Sequence, residues 1–418
     1  MRFPVPSFRR LCAIAGLVAI AGLAGCATTK KGPDIAPTPK PTETAETVVP
    51  TTTPTHPLDS DSPSFLRLGN MSSARTPVRI GVLLPFGSST AGTKALANTM
   101  LKAAELAMFD SGSRDILLMT ADEGSSGDSA RAGARKLLDQ GAEIIIGPIY
   151  ASSVRAITSM TRDRAVPVIA FSTDRSVAGD GVYLLSFQPE DLVQRVMHYA
   201  ADHGHKNFAA MVPSTAYGQV VEKEFRQSAT ESGAKISDVQ HFTPDVTAVQ
   251  TPSAAVAHSD ADAILIGQGG SVLKAIGVAL RSNGVDPVKA KLLGTGLWDD
   301  PTIGKEPTLD GAWFAAPSPY ADDAFNAKYR AAFGGSPPQL AGLAYDAVSL
   351  IAILAQGKPY HRFTPETLTD PNGFSGVNGI FRFHQNGTIE RGLAILSIGP
   401  NGFSVVDPAP RTFQHSGS

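Results

Sequence analysis

From Pro77 onwards the chain alternates short apolar runs with segments of helical spacing. Residues 78–84 form an apolar run that Pro85 ends. Residues 91–109 then place Leu96, Met100, Ala103, Ala104, Ala107 and Met108 on one face, the period of an amphipathic helix. Strands are expected at 116–119, 143–146 and 166–171, with helices at 128–138 and 152–164. The alternation restarts with an apolar run at 182–187 and a helix at 190–203. A strand at 208–212, a helix at 218–232 and strands at 235–241, 263–266 and 291–293 follow. The last stretch mixes helices (321–333, 339–355) with strands (379–383, 392–398). Continuous apolar strands between helices belong to parallel sheets covered on both faces. Two such runs, each of domain size, predict an α/β fold of two doubly wound, Rossmann-like lobes. The final stretch fits a chain crossing back between them.

The pattern before Pro77 is different. Arg2, Arg9 and Arg10 are followed by a short apolar run, 11–23, and then by Leu23-Ala24-Gly25-Cys26. A charged start, a short apolar core and small residues at its end are the layout of a cleavable signal, expected here at 1–25. The run is shorter than the roughly 20 apolar residues a membrane span needs. Leu-Ala-Gly-Cys resembles the bacterial lipobox in all four positions. That resemblance implies cleavage after Gly25, a diacylglyceryl group on the Cys26 sulfur and, with Ala27 following, sorting to the outer membrane.

Residues 27–75 hold eight prolines and many threonines, with no apolar period. Such a segment buries too little to offset its ordering entropy, so 26–76 is expected to be the lipidated cysteine and a disordered tether. Extended, it would reach about 150 Å at most. The only other cysteine, Cys12, lies in the expected signal, so the fold does without disulfides. The net charge of -2 becomes -5 once the three signal arginines are removed. No basic footprint for nucleic acid remains, and the lipid is the expected contact with a membrane.

Several short motifs then carry a resemblance. Val82-Leu83-Leu84-Pro85 ends the first strand and Ile145-Ile146-Gly147-Pro148 the third. Ala216-Tyr217-Gly218 opens a second-lobe helix. Ala344-Tyr345-Asp346-Ala347, Gly376-Val377-Asn378-Gly379 and Phe383-His384-Gln385-Asn386-Gly387 come late. In this order they resemble the type 1 periplasmic binding proteins of the leucine-binding family, over residues 77–407. The resemblance implies two lobes joined by three crossings that close on a ligand. It places lobe 1 at about 77–188 plus 318–378 and lobe 2 at about 189–317 plus 379–407, with a disordered tail at 408–418. Residues 170–179, 294–300 and 379–383 are similar to a subgroup, the penicillin-binding protein activators. These are lipoproteins whose binding-protein-like domain docks on a peptidoglycan synthase.

Members that bind amino acids place a serine five positions into the Gly-Pro loop, where it and helix-start N–H groups hold the ligand carboxylate. Here Ala151 stands in that position, after Tyr150 and before Ser152 and Ser153. The second gripping loop ends in a small hydroxyl residue in those members. Asp174 stands there, after Ser172 and Thr173, and would repel a ligand carboxylate. In the second lobe the loop that often supplies an acidic partner for the ligand amine holds Trp298 and Asp299. With Phe86, Ser88, Ser89, Tyr217 and Gln268, these residues are the expected cleft lining. The amino-acid grip is partly missing.

Catalytic and metal readings find little support. Ser271-Val272-Leu273-Lys274 matches the Ser-x-x-Lys motif of penicillin-binding enzymes, but no Lys-Thr-Gly accompanies it. His198 and Asp202 are spaced to share a metal, yet a structural site needs four ligands. Asp122 and Glu123 read as a cleft rim. The expectation is a non-catalytic periplasmic lipoprotein, without cofactor or metal, that regulates peptidoglycan synthesis by contacting a penicillin-binding protein. The rival is a receptor that serves an ABC permease and binds branched-chain or related amino acids.

Overall fold

The computed structural model describes residues 77–113, 115–358 and 361–413. The expected signal, Cys26, the tether and residues 414–418 of the expected tail lie outside the described residues. Strand β1 (Val78–Leu84) is buried along its whole length, as its apolar run requires. Helix α1 (Ala91–Asp110) turns Ala97, Met100, Ala103, Ala104 and Ala107 inward. Leu96 and Met108, expected on that face, sit at its partly covered margin. There follow β2 (Ile116–Asp122), α2 (Gly127–Asp139), β3 (Ile144–Ile146), α3 (Ala151–Asp163), β4 (Val168–Ala170) and β5 (Val182–Leu184). These strands form a parallel sheet in the order β2-β1-β3-β4-β5.

The second lobe repeats the alternation. Its elements are α4 (Pro189–Asp202), β6 (Asn207–Pro213), α5 (Ala216–Glu231), β7 (Lys235–Phe242), α6 (Gln250–Ala257), β8 (Ala263–Ile266), α7 (Gly270–Ser282), β9 (Lys291–Gly294) and β10 (Trp313–Ala316). The chain then returns to the first lobe. Phe325 and Tyr329 of α8 (Asp323–Phe333) and the inner face of α9 (Gln339–Leu354) join the core around β1 and α1. A small antiparallel sheet follows, of β11 (Phe374–Gly376), β12 (Gly379–Phe383) and β13 (Ile389–Arg391). Finally β14 (Ala394–Gly399) and β15 (Gly402–Asp407) complete the second sheet, ordered β15-β14-β10-β9-β8-β6-β7. Its β6 to β10 strands are parallel and its last two antiparallel.

One expected boundary is corrected. The resemblance puts residues 379–391 in the second lobe, but Phe381, Phe383 and Ile389 pack in the first lobe's core. Phe383 lies 5.5 Å from the Tyr183 ring. Only β14 and β15 join the second sheet. An alternating strand pattern shows that a face is buried, not against which lobe.

The chain therefore crosses between the lobes three times, after β5, after β10 and after β13. The first and third crossings are tied together. Arg391 donates from Nε to the Ser186 carbonyl at 3.0 Å, and its guanidinium lies 4.7 Å from the centre of the Phe187 ring. Burial pulls this arginine down to about 10 and pushes Asp346 up to about 6, and the two charges attract. Asp346 accepts a hydrogen bond from the Val377 N–H at 2.7 Å. Two of the late motifs are thus halves of one buried contact: a helix carboxylate capping a turn.

Candidate functional site: the cleft between the lobes

Each sheet reverses its order once, between β1 and β3 and between β6 and β8. Loops leaving such a point at the carboxyl ends of the strands form the natural ligand crevice of α/β sheets. Tyr217 enters this crevice from the first turn of α5. A Cβ on Gly218 would stand 1.8 Å from the Pro213 carbonyl oxygen, so only glycine lets α5 start so close to the end of β6. Thr215 caps the helix, its hydroxyl accepting the Gly218 N–H at 3.2 Å. The Tyr217 hydroxyl donates to Thr295 Oγ1 at 2.8 Å, and burial pushes the phenol up to about 12, so it stays neutral.

Two neighbouring cavities open here. The smaller is about 290 Å³. The first lobe contributes Thr173, Gln339 and Leu340. Phe187, Pro189, Ala316 and Pro317 come from two crossings or their ends, and Leu192, Tyr217, Leu297 and Asp299 from the second lobe. Asp299 accepts a hydrogen bond from Gln339 Nε2 at 2.7 Å, which joins the second lobe to α9 of the first. Burial, and then the nearby charge of Asp322, push the Asp299 carboxyl up to about 6.

The larger cavity is about 730 Å³ and shares Thr173, Pro189 and Tyr217 with the smaller. Its wall carries Asp174, Glu190, Asp191 and Glu224 against Arg175 and Lys223. Arg175, in a 3-10 turn of the first lobe (Arg175–Val177), pairs with Asp191 in the first turn of α4 and approaches Glu190 at 3.6 Å. Burial pushes Asp191 up to about 6 and also raises Glu224. Glu224 accepts from the Ser228 hydroxyl at 3.0 Å.

The start of α3 is occupied differently from expectation. Glu123 is fully buried and is not a cleft rim. Its two carboxylate oxygens accept the N–H groups of Ile149 at 3.0 Å and Tyr150 at 2.9 Å, and it also bonds Ser153. Burial raises this carboxyl above its ordinary range. Glu123 follows directly on β2, and its own N–H pairs with the Leu84 carbonyl, which keeps it inside between neighbouring strand ends. Asp174 is also engaged within the first lobe. One oxygen accepts the N–H and hydroxyl of Ser176 at 2.9 and 2.6 Å, and the other meets Arg155 at 2.6 Å. The Ser176 hydroxyl, helped by Arg155, holds its carboxyl below the usual range.

Of the residues expected in the cleft, Thr173, Asp174, Tyr217 and Asp299 line these cavities. Phe86, Ser88, Ser89, Tyr150, Ser152, Ser153, Ser172 and Gln268 do not. Ser172 and Ser153 are buried, and the Ser172 carbonyl accepts the Ser186 hydroxyl at 2.9 Å. Trp298 is a correction. It is fully buried in the second lobe's core, where its indole N–H donates to the Gln268 carbonyl at 2.8 Å. Its ring lies on Gly294, where a Cβ would come within 2.1 Å of it. It anchors the loop that carries Asp299 to the core and is not a wall of the cleft. Phe187, Leu297, Gln339, Leu340, Arg175 and the acids of α4 and α5 were not anticipated. They meet only because two lobes face each other, and no local spacing marks them. Elsewhere, Lys274 lies 3.9 Å from Glu306, and His198 faces Glu231 at 3.4 Å instead of Asp202.

Two α/β lobes, three crossings and a crevice between them define a binding-protein architecture. The chain belongs to the periplasmic binding protein family, whose model matches residues 77–402, and this implies a periplasmic location. It is similar to a candidate branched-chain amino acid ABC transporter protein of Rhodospirillum rubrum, with 18% identity and a TM-score of 0.71. That likeness covers 79% of this chain and 100% of the other. It is similar to LivJ of Streptococcus pneumoniae, solved with isoleucine, at 20% identity and a TM-score of 0.58, over 80% of this chain and 100% of that one. At these identities the likeness is one of fold, the type 1 leucine-binding fold. The curated relative RP748, an uncharacterized protein of Rickettsia prowazekii, is 21% identical over 173 residues, or 41% of this chain. The match spans 45% of that relative's length.

Proposed function

We propose that the chain is a solute-binding protein that serves an ABC transporter and closes its lobes on a small molecule in the 290 Å³ cavity. The observation that carries this reading is that both lobes and two crossings supply the cavity's wall. A molecule held there contacts the parts that change position when the lobes rotate, so binding and closure are coupled. Thr173, Tyr217 and Asp299 are its proposed contacts, with Asp174 at the mouth. Non-catalytic binding at the end of a lipid tether on Cys26 completes the reading. A thermal-shift screen of amino acids, aromatic acids and amines tests it. A true ligand at 100 times its Kd stabilises the domain by about 2.7 kcal/mol. A screen in which no small molecule raises Tm contradicts it.

One observation favours a second reading, a penicillin-binding protein activator anchored in the outer membrane. The amino-acid grip is not available in its usual form: Ala151 offers no hydroxyl, and Asp174 is paired with Arg155. On that reading no amino acid shifts Tm, and a purified penicillin-binding protein binds the chain even with Asp299 replaced.

A further inference from the structure

The charges around the cleft are lopsided. The only side chain with an ordinarily ionised group on the smaller cavity's wall is Asp299, and no lysine, arginine or histidine lines it. A carboxylate moved into this space would lose its water and meet no counter-charge, which is costly for any buried anion. Two arginines beside the adjoining cavity are already committed, and Lys223 shares that cavity's wall with four acids. Arg175 pairs with Asp191 and approaches Glu190, and Arg155 pairs with Asp174. At the start of α3 the Glu123 carboxylate holds the N–H groups of Ile149 and Tyr150, just before the helix, and sets a negative charge beside it. The adjoining cavity carries Asp174, Glu190, Asp191 and Glu224 against Arg175 and Lys223, a surplus of acids.

Asp299 itself is only half used. Gln339 bonds one carboxylate oxygen, and no hydrogen bond among the described residues engages the other. The Tyr217 hydroxyl gives its proton to Thr295, so the lone pairs of its oxygen remain to accept from a ligand. Apart from Thr173 and Gln339, the rest of the wall is mostly hydrocarbon: Phe187, Leu192, Leu297, Leu340 and two prolines. A mostly apolar pocket with a few convergent polar groups orients a ligand by its one polar end.

We propose that the cleft takes an apolar amine that carries no carboxylate, its ammonium on Asp299 and its hydrocarbon body against Phe187, Leu192, Leu297 and Leu340. This rests on the solute-binding reading and specifies its ligand. Such a cation suits the acidic surroundings, whereas an amino acid brings a second charge for which the wall holds no cation.

Calorimetry with matched ligands tests this: isopentylamine, leucine and 4-methylpentanoate share one hydrocarbon body, and phenethylamine, phenylalanine and phenylpropionate share a larger one. At pH 7.5 one or both amines should bind, and the matching amino acid and acid at least tenfold more weakly. Asp299→Asn, which keeps an acceptor for Gln339, should weaken the amine at least tenfold, with far-UV circular dichroism and cooperative melting retained. Leucine, phenylalanine or either acid binding as tightly as its amine overturns the assignment and leaves the solute-binding reading standing. Binding by neither amine overturns the assignment whatever the wider screen shows, and only a blank wider screen removes the solute-binding reading too.

Discussion

The two lobes facing the cleft solve opposite problems. On the first lobe, at α3 and the Ser172–Asp174 loop, polar groups are satisfied from within. Glu123 takes the N–H groups of Ile149 and Tyr150, and Asp174 takes Ser176 and Arg155. On the second lobe, Asp299 follows the buried Trp298, with one carboxylate oxygen bonded and burial working against its charge. A desolvated carboxylate with an unbonded oxygen gains most from an incoming cation, while a group already paired gains little. The comparison teaches that recognition can move from one lobe to the other without a change of fold.

The largest expected effect comes from removing the anchor of the second lobe's loop. Trp298→Ala empties a fully buried site and should cost about 3–5 kcal/mol in urea denaturation, with ligand binding lost alongside. The first lobe's buried network should break next. Glu123→Ala leaves two part-buried N–H groups and the Ser153 hydroxyl without their acceptor and should cost about 1–3 kcal/mol. Were the start of α3 an open anion grip with Glu123 incidental, that substitution would be close to neutral.

Asp299→Asn should move stability the other way. The Asp299 carboxyl is raised to about 6, so the domain holds its proton more tightly than the unfolded chain does. Its contribution is fully present below the unfolded value and is lost as pH rises through about 6. Asp322 and Asp300 face it with like charge and Gln339 with a donor, and Asp322 and Asp300 add to the rise. The ligand-free variant should therefore be more stable at pH 7, by about 1 kcal/mol after allowing for solvent screening, and its Tm should change less between pH 4 and 7. The smallest effect belongs to Arg155→Ala. Its pair with Asp174 is half exposed, so the loss should stay within about 1 kcal/mol, with ligand affinity unchanged by calorimetry.

Much of the fold was legible because apolar runs and helical periods are local signals. The buried run of β1 and the inner face of α1 stand in the sequence almost as they stand in the domain. The sheet around β12 was placed on the wrong side, since Phe381 and Phe383 show alternation but not the partner they alternate against. The site was legible in part. Tyr217 and Asp299 lie on loops that the alternation itself points to, and both line the cleft. Trp298 shares that loop but turns into the core, because Gly294 leaves room for a flat ring beneath it. Gln339 and Leu340 could not be read at all. They are some 40 residues beyond Asp299 and reach it only through the return crossing.

Hydrogen–deuterium exchange in the presence and absence of the tightest-binding amine tests the central claim most directly. A ligand held between the lobes should protect 172–175 on the first lobe and 216–220 and 296–299 on the second, together and at the same ligand concentration. Protection confined to one lobe, or appearing away from these segments, would contradict a ligand held between the two lobes.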